Sequence, residues 1–198
     1  MEEAIITYLD TVKNLCPQIR AEELVFLSSG LSVSEMKTKH FYIHANTLQK
    51  EIGFVYRGLL RAFYVDQEGN EITFKFVPEN CIATDYTALI SQKPSEYNFQ
   101  CLESTVFVNL PYSHLKKAYE KYPNIERYGR LVAEEALKLQ QKRIESLLFN
   151  NAEKRYLEFM EEQPNLFNRV SISLLSSFLG IKRQSLTRIR KKLATRTI

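Results

Sequence analysis

The sequence predicts an α+β chain. An antiparallel β-roll or jelly roll comes first, then one long helix, then a helix-turn-helix. Three observations carry this. Residues 36–110 are filled by short apolar runs with period-two alternation and turn clusters between them. Residues 124–150 contain no proline and a single glycine, with apolar positions at three- and four-residue steps. Residues 163–198 hold eight Lys or Arg and no Asp or Glu, arranged around two short helical patterns with Gly180 between them. The whole chain carries +4, so residues 1–162 carry −4, and positive charge belongs to one end.

Composition sets the outer limits. A chain of 198 residues has room for one large domain or two small ones. Its 44% hydrophobic content with only six Gly and six Pro argues for packed cores against low complexity. No apolar run reaches the roughly 18 residues of a membrane span. The acidic start, Met1-Glu2-Glu3, lacks the features of a signal peptide, so a cytoplasmic protein with no membrane partner is expected. Cys16, Cys81 and Cys101 are odd in number and far apart, which argues against a disulfide framework or a closed zinc site. His40 and His44 are four apart and are expected on one face of a strand, but further ligands are missing, so no metal is expected.

Taken in order, the first 30 residues have helical spacing, with Ile5, Ile6, Leu9, Val12, Leu24, Phe26 and Leu27 as the apolar set. Strands follow at 54–58 and 59–65. After the turn cluster at 66–70, Ile72, Phe74 and Phe76 alternate with Glu71, Thr73 and Lys75 as a half-buried hairpin strand. A further strand pair is expected at 97–102 and 105–110. A helix over 113–121 precedes Tyr122-Pro123, and residues 124–150 then form about seven turns of helix. Its apolar stripe either packs on its own domain or pairs with a second copy of the chain. The dimer reading takes Tyr128, Val132, Ala136, Leu139 and Arg143 as the interface. Asn150-Asn151 marks a break or hinge. Residues 152–162 resume as a helix with Tyr156, Leu157 and Met160 on one side, and Pro164 ends it.

The chemistry lies at 171–193. Ser171 is suited to cap a helix over 172–179. Gly180 supplies a turn with positive φ. A second helix runs over 182–193, with Leu186, Ile189 and Leu193 facing inward. The outward residues are of types that read DNA. Arg bonds bidentately to guanine, Gln does so to adenine, and Lys, Ser and Thr suit phosphate oxygens. Arg183, Gln184, Thr187 and Arg188 are therefore expected at base edges. Arg169, Lys182, Ser185, Arg190, Lys191 and Lys192 are expected at phosphates. A solvated cationic helix with no partner is the plainer alternative. It leaves the glycine turn, the buried apolar set and the absence of acid over the last 36 residues unexplained.

At this point the chain resembles the CRP/FNR transcription regulators, most closely the branch common in Bacteroidetes-type bacteria. The resemblance rests on residues 56–61, 66–71, 151–156 and above all 178–192. It implies a cyclic-nucleotide-binding-like β-roll over 1–122, a dimerisation helix over 123–150 and a winged helix-turn-helix over 151–198. It also places Arg183, Gln184 and Arg188 at base-contacting positions. The chain stops soon after the second helix, so the wing is expected to be reduced or built from residues before the motif, Arg169-Val170 among them. The sensor half departs from the nucleotide-binding pattern of that family. No Gly precedes a Glu in 77–85, Pro94 stands near the position of the phosphate-binding Arg, and Glu96 follows it. A buried phosphate against a carboxylate without a cation is strongly disfavoured, so no cyclic AMP binding is expected. An iron–sulfur centre needs an N-terminal cysteine cluster, and only Cys16 is there.

The function expected is sequence-specific regulation of transcription by a homodimer on double-stranded DNA, with no cofactor. RNA polymerase and an unidentified small-molecule effector are further partners that the resemblance allows. The alternative is a ligand- or partner-binding β-barrel module without sequence-specific DNA binding. No phosphate loop, HExxH or GxSxG motif supports an enzyme.

Overall fold

Two four-stranded antiparallel sheets face each other in the computed structural model, which describes residues 1–195. One sheet has the order β1 (Ser32–Met36), β8 (Thr105–Pro111), β3 (Glu51–Arg57), β6 (Ile82–Ala83). The other has the order β2 (Phe41–Ile43), β7 (Asn98–Cys101), β4 (Leu60–Val65), β5 (Glu71–Val77). Apart from the β4–β5 hairpin, neighbours in a sheet are distant in sequence, as in a jelly roll. The hairpin of β4 and β5 pairs Val65 with Glu71, and Asp66 closes its turn by accepting from the Glu68 and Asn70 amides.

Alternation along each strand divides the apolar side chains between two layers. Between the sheets lie Ile43, Val55, Leu60, Ala62, Val77, Ala83, Phe99, Cys101 and Phe107. On the outer face of the first sheet, Ile52, Phe54, Val108 and Leu110 meet a helical layer. That layer is built from α1 (Glu2–Leu15), α2 (Ala21–Ser28), α4 (Tyr112–Lys121) and the first turns of α5 (Pro123–Phe149). A short helix, α3 (Tyr86–Ser91), spans the β6–β7 connection. Glu23 of α2 has a fully buried carboxylate, which accepts from the Arg20 amide at 2.7 Å and from Asn124 Nδ2 at 3.0 Å. Burial alone would raise its pKa, but these bonds and the Arg20 guanidinium hold it below the ordinary carboxylate value.

The chain then breaks at Asn150-Asn151, where Asn150 has φ −101 and ψ 138, and continues as α6 (Ala152–Glu162), α7 (Ile172–Leu179) and α8 (Arg183–Ala194). Tyr156, Phe159, Leu166, Val170, Leu175, Leu179 and Leu186 form a third core, shared with Leu59 and Phe76 of the roll. The C-terminal helices are therefore packed on the β4–β5 side of the roll. Ser177 Oγ accepts from the Thr73 amide at 2.9 Å across that junction.

Several expectations are corrected. His40 and His44 flank β2 on opposite ends and sit on no common strand face; His44 stacks on Phe41 with ring centroids 4.4 Å apart. The buried pair of α6 is Tyr156 and Phe159, while Leu157 is exposed. Residues 164–166 form a 3-10 turn, and among the described residues no strand follows β8, so Arg169-Val170 does not build a wing. Arg196 lies outside the described residues.

Candidate nucleic-acid interface

The helix-turn-helix is assembled from local signals that act in series. Ser171 Oγ accepts from the Leu174 amide and caps α7. Gly180 closes α7 at φ 62, the left-handed region that glycine enters without a Cβ clash. The Ile181 amide returns to the Ser176 carbonyl at 3.0 Å. α8 then starts at Arg183, and the side chain of Lys182 before it caps nothing. Its first-turn amides keep the positive end of the helix dipole available to an anion.

Leu186 is fully buried and fixes the rotation of α8. At about 100° per residue, Gln184, Arg188 and Lys191 then lie on the face opposite Leu186, with Thr187 about 100° and Arg183 about 60° round from Leu186 on one side. Lys182, Arg183, Gln184, Arg188 and Lys191 are all exposed. Thr187 is half-buried, and its hydroxyl donates to the Arg183 carbonyl at 3.0 Å. Ser185 is half-buried on the inner flank.

Three of the expected phosphate contacts are engaged inside the chain. Arg169 donates to both Glu79 oxygens, at 2.9 and 2.8 Å, and to both Glu103 oxygens, at 2.9 and 2.8 Å. It clamps the C-terminal helices to the roll, with four of its five N–H donors and its charge engaged by the two carboxylates. Arg190 lies over the Phe167 ring, 4.7 Å from its centroid. Lys192 Nζ pairs with Glu153 Oε2 at 2.6 Å. Lys182 and Lys191 remain as exposed cations without an ion pair among the described residues.

The expected dimer face of α5 is also redrawn. Tyr128 is only 5% exposed and packs with Ile125 in the core beneath α1, and Val132 packs against the same core. Ala136 is half-buried on that side. Arg143 turns back into its own chain, where it donates to the Phe178 carbonyl and stacks on the Phe178 ring with 4.1 Å to the centroid. Tyr128, Val132 and Arg143 are thus engaged within their own chain. Leu139 is exposed but lies about 200° round the helix from Leu137. The unpartnered apolar stripe is Ala133, Leu137, Ile144 and Leu148. These residues are spaced four, seven and four apart and lie within about 40° of one line on the helix. Leu137, Ile144 and Leu148 are 67%, 52% and 71% exposed. The stripe is present in the sequence, on the far side of the helix from Tyr128 and Val132.

Inside the roll, the space between the sheets is filled. Phe107 stacks on Tyr42 at 4.4 Å and Phe74 meets Tyr97 at 4.6 Å, with Phe99 buried beside them. Asp85 caps α3, accepting from the Ala88 amide at 3.2 Å and from Ser95 Oγ at 2.8 Å, so the start of α3 is closed by a carboxylate. Glu96 is exposed, and Pro94 bridges Leu48. Among the described residues no group of three His, Cys, Asp or Glu is placed to hold a metal ion. No helix of the described residues is long and apolar enough to cross a membrane.

No family model and no curated protein matches this chain. Solved structures do. FixK2 from Bradyrhizobium japonicum superposes with a TM-score of 0.75 at 14% identity, covering 85% of this chain and 86% of that one. A transcriptional regulator of the CRP/FNR family from Eubacterium rectale gives 0.71 at 16% identity, covering 92% and 87%. The c-di-GMP-responsive global regulator CLP of Xanthomonas campestris gives 0.70 at 15% identity, covering 90% and 93%. The fold is that of the CRP/FNR regulators, from the roll through the long helix to the helix-turn-helix.

Proposed function

We propose that this protein is a DNA-binding transcription regulator of the CRP/FNR type, which reads an inverted repeat as a homodimer in the cytoplasm. One observation carries the reading. Gln184, Arg188 and Lys191 share the outer face of α8, Lys182 and Arg183 are exposed at its start, and none of the four cations is neutralised by a carboxylate among the described residues. The other basic residues of the described C-terminal segment are held by Glu79, Glu103, Phe167 and Glu153. A helix docked by Leu186 with its free cations and amide facing outward has the donors for the major groove. The exposed stripe of α5 supports pairing of two copies, which sets two such helices on successive half-sites.

The filled roll and the carboxylate at α3 favour a regulator that does not take up a cyclic nucleotide between its sheets. A gel shift with duplexes covering the region upstream of its own gene, titrated with salt, tests the reading. Preferential retardation of one duplex, weakening as salt rises, is expected. Equal affinity for every duplex would leave only a general polyanion binder.

A further inference from the structure

The carbonyl end of α7, which leads through Gly180 into α8, is held by two guanidinium groups from different helices. Arg155 of α6 donates from Nε to the Leu179 carbonyl at 2.8 Å and from Nη2 to the Gly180 carbonyl at 3.3 Å. Its Nη1 reaches the Asn150 carbonyl at 2.6 Å, at the end of α5. Arg143 of α5 donates to the Phe178 carbonyl and lies over the Phe178 ring. Three successive carbonyls, 178 to 180, therefore receive charged donors from the two helices that precede the motif. The last carbonyls of a helix carry its negative dipole end, so a cation there is electrostatically favoured. No carboxylate pairs with either arginine among the described residues. Burial first, and then the neighbouring Arg155, bring the Arg143 guanidinium down to about 10.

The same bonds stiffen the break at Asn150-Asn151. Glu158 of α6 accepts from Ser146 Oγ at 2.7 Å and from Asn150 Nδ2 at 2.6 Å, and Lys142 pairs with Glu162 at 2.9 Å. The Leu147 side chain lies 3.7 Å from where a Cβ on Gly180 would sit. Two non-helical residues would ordinarily let α6 swing, but here both sides of the bend are tied to each other and to α7.

We propose that Arg143 and Arg155 are positioning residues for DNA recognition: by capping α7 from α5 and α6, they lock the recognition helix to the long helix and so set the distance between the two recognition helices of a dimer. This rests on the proposed function. Neither arginine touches DNA in this scheme. Each acts through the backbone of the 178–180 turn, and at position 155 an arginine is needed because its planar fork reaches the Asn150, Leu179 and Gly180 carbonyls at once, which a single ammonium cannot do.

The test separates spacing from half-site reading. Wild-type protein incubated with a randomised duplex pool is expected to enrich inverted half-sites at one spacing. Arg155→Gln is expected to enrich the same half-sites with spacings spread over several base pairs. Its preference for the best spacing over one lengthened by a base pair should fall by about fivefold or more, while affinity for a duplex carrying one half-site stays within about twofold. Arg143→Gln removes the charged donor to the Phe178 carbonyl, so it carries the same test should Arg155→Gln lose its fold by circular dichroism. A fall in single-half-site affinity parallel to the loss of spacing would reduce both arginines to a structural role and overturn the proposal. Sharp spacing retained in both variants would overturn it while leaving the proposed function standing. A wild-type protein that enriches no repeat would remove the proposed function and this inference with it.

Discussion

Replacing both Leu137 and Ile144 with Glu is expected to give a folded monomer that no longer binds an inverted repeat. Leu137, Ile144 and Leu148 are 67%, 52% and 71% exposed in one chain. Full burial of a large aliphatic side chain is worth about 1.5–3 kcal/mol, so covering the exposed part of each yields about 1–2 kcal/mol. Six such side chains across a symmetric seam supply about 6–12 kcal/mol, which must offset an association cost of about 4–15 kcal/mol. The balance is close enough that the stripe decides the outcome. The double substitution removes four of the six and about 4–8 kcal/mol, a loosening of the dimer by about a thousandfold or more. Carboxylates at 137 and 144 would also be counted twice by the symmetry and would have to remain hydrated, which a closed seam forbids. Sedimentation over a concentration series reads the result. The companion variant Val132→Glu should behave differently. Val132 packs on the core around Tyr128, so its replacement should lower the melting temperature first. A Leu137→Glu/Ile144→Glu protein that remains dimeric at micromolar concentration would refute the assignment of this face.

Three further outcomes follow from the geometry. Arg183→Ala should cost about 1–3 kcal/mol per half-site on the enriched sequence and relax preference at one base pair, whereas Lys191→Ala should weaken all duplexes alike and flatten the salt slope by about one unit; equal losses on specific and random DNA for Arg183→Ala would make α8 a phosphate clamp. Calorimetry with cyclic AMP or cyclic GMP should show no specific heat, since Phe99, Phe107 and Tyr97 fill the roll and Asp85 occupies the start of α3; micromolar binding would contradict that account. Arg169→Ala should loosen the junction between the roll and the C-terminal helices by about 1–2 kcal/mol, the partial exposure of the clamp keeping the figure low. Burial raises the Glu79 pKa, but the Arg169 bonds and the Gly58 amide outweigh it and hold the group below 4.5. A depressed folded pKa gives stability that is complete above the unfolded value and lost as pH falls through the folded one. The wild type should therefore lose this contribution only in acid, below about pH 4.5, and Arg169→Ala should show a shallower acid limb in a denaturant–pH series; an unchanged limb would count against the clamp.

Much of the fold was legible because local signals agreed with one another. The alternation at 71–77 marked β5, and Ser171 and Gly180 bracket α7 at the residues where the structure starts and ends it. Those signals need nothing beyond a few neighbouring residues. The clamp of Arg169 was not legible. Its partners lie 90 and 66 residues away, and only the jelly-roll topology brings Glu79 and Glu103 together beside the C-terminal helices. In sequence, Arg169 is one more cation in a basic block. The same holds for Lys192 and Arg190, whose local environment is set by α6 and the 3-10 turn. Net charge identified the end of the chain proposed to meet DNA, but it could not say which cations are left without a carboxylate.

The long helix shows the same limit in another form. A period of 3.6 fixes the angle between residues but not which face has a partner. In the first turns of α5, the side facing the chain's own core is apolar, through Ile125, Tyr128 and Val132. Further along, that side becomes polar, because Arg143, Ser146 and Asn150 bond to Phe178, Glu158 and Arg155. The opposite side becomes apolar through Leu137, Ile144 and Leu148 and is left to solvent. A helix completed within one chain has the reverse arrangement, with apolar residues inside and polar residues outside. The inversion halfway along α5 is therefore itself the physical argument for a second copy. The polar inner side fastens the helix-turn-helix to the long helix, and the apolar outer side has no cover within the chain, which is what the proposed pairing would supply.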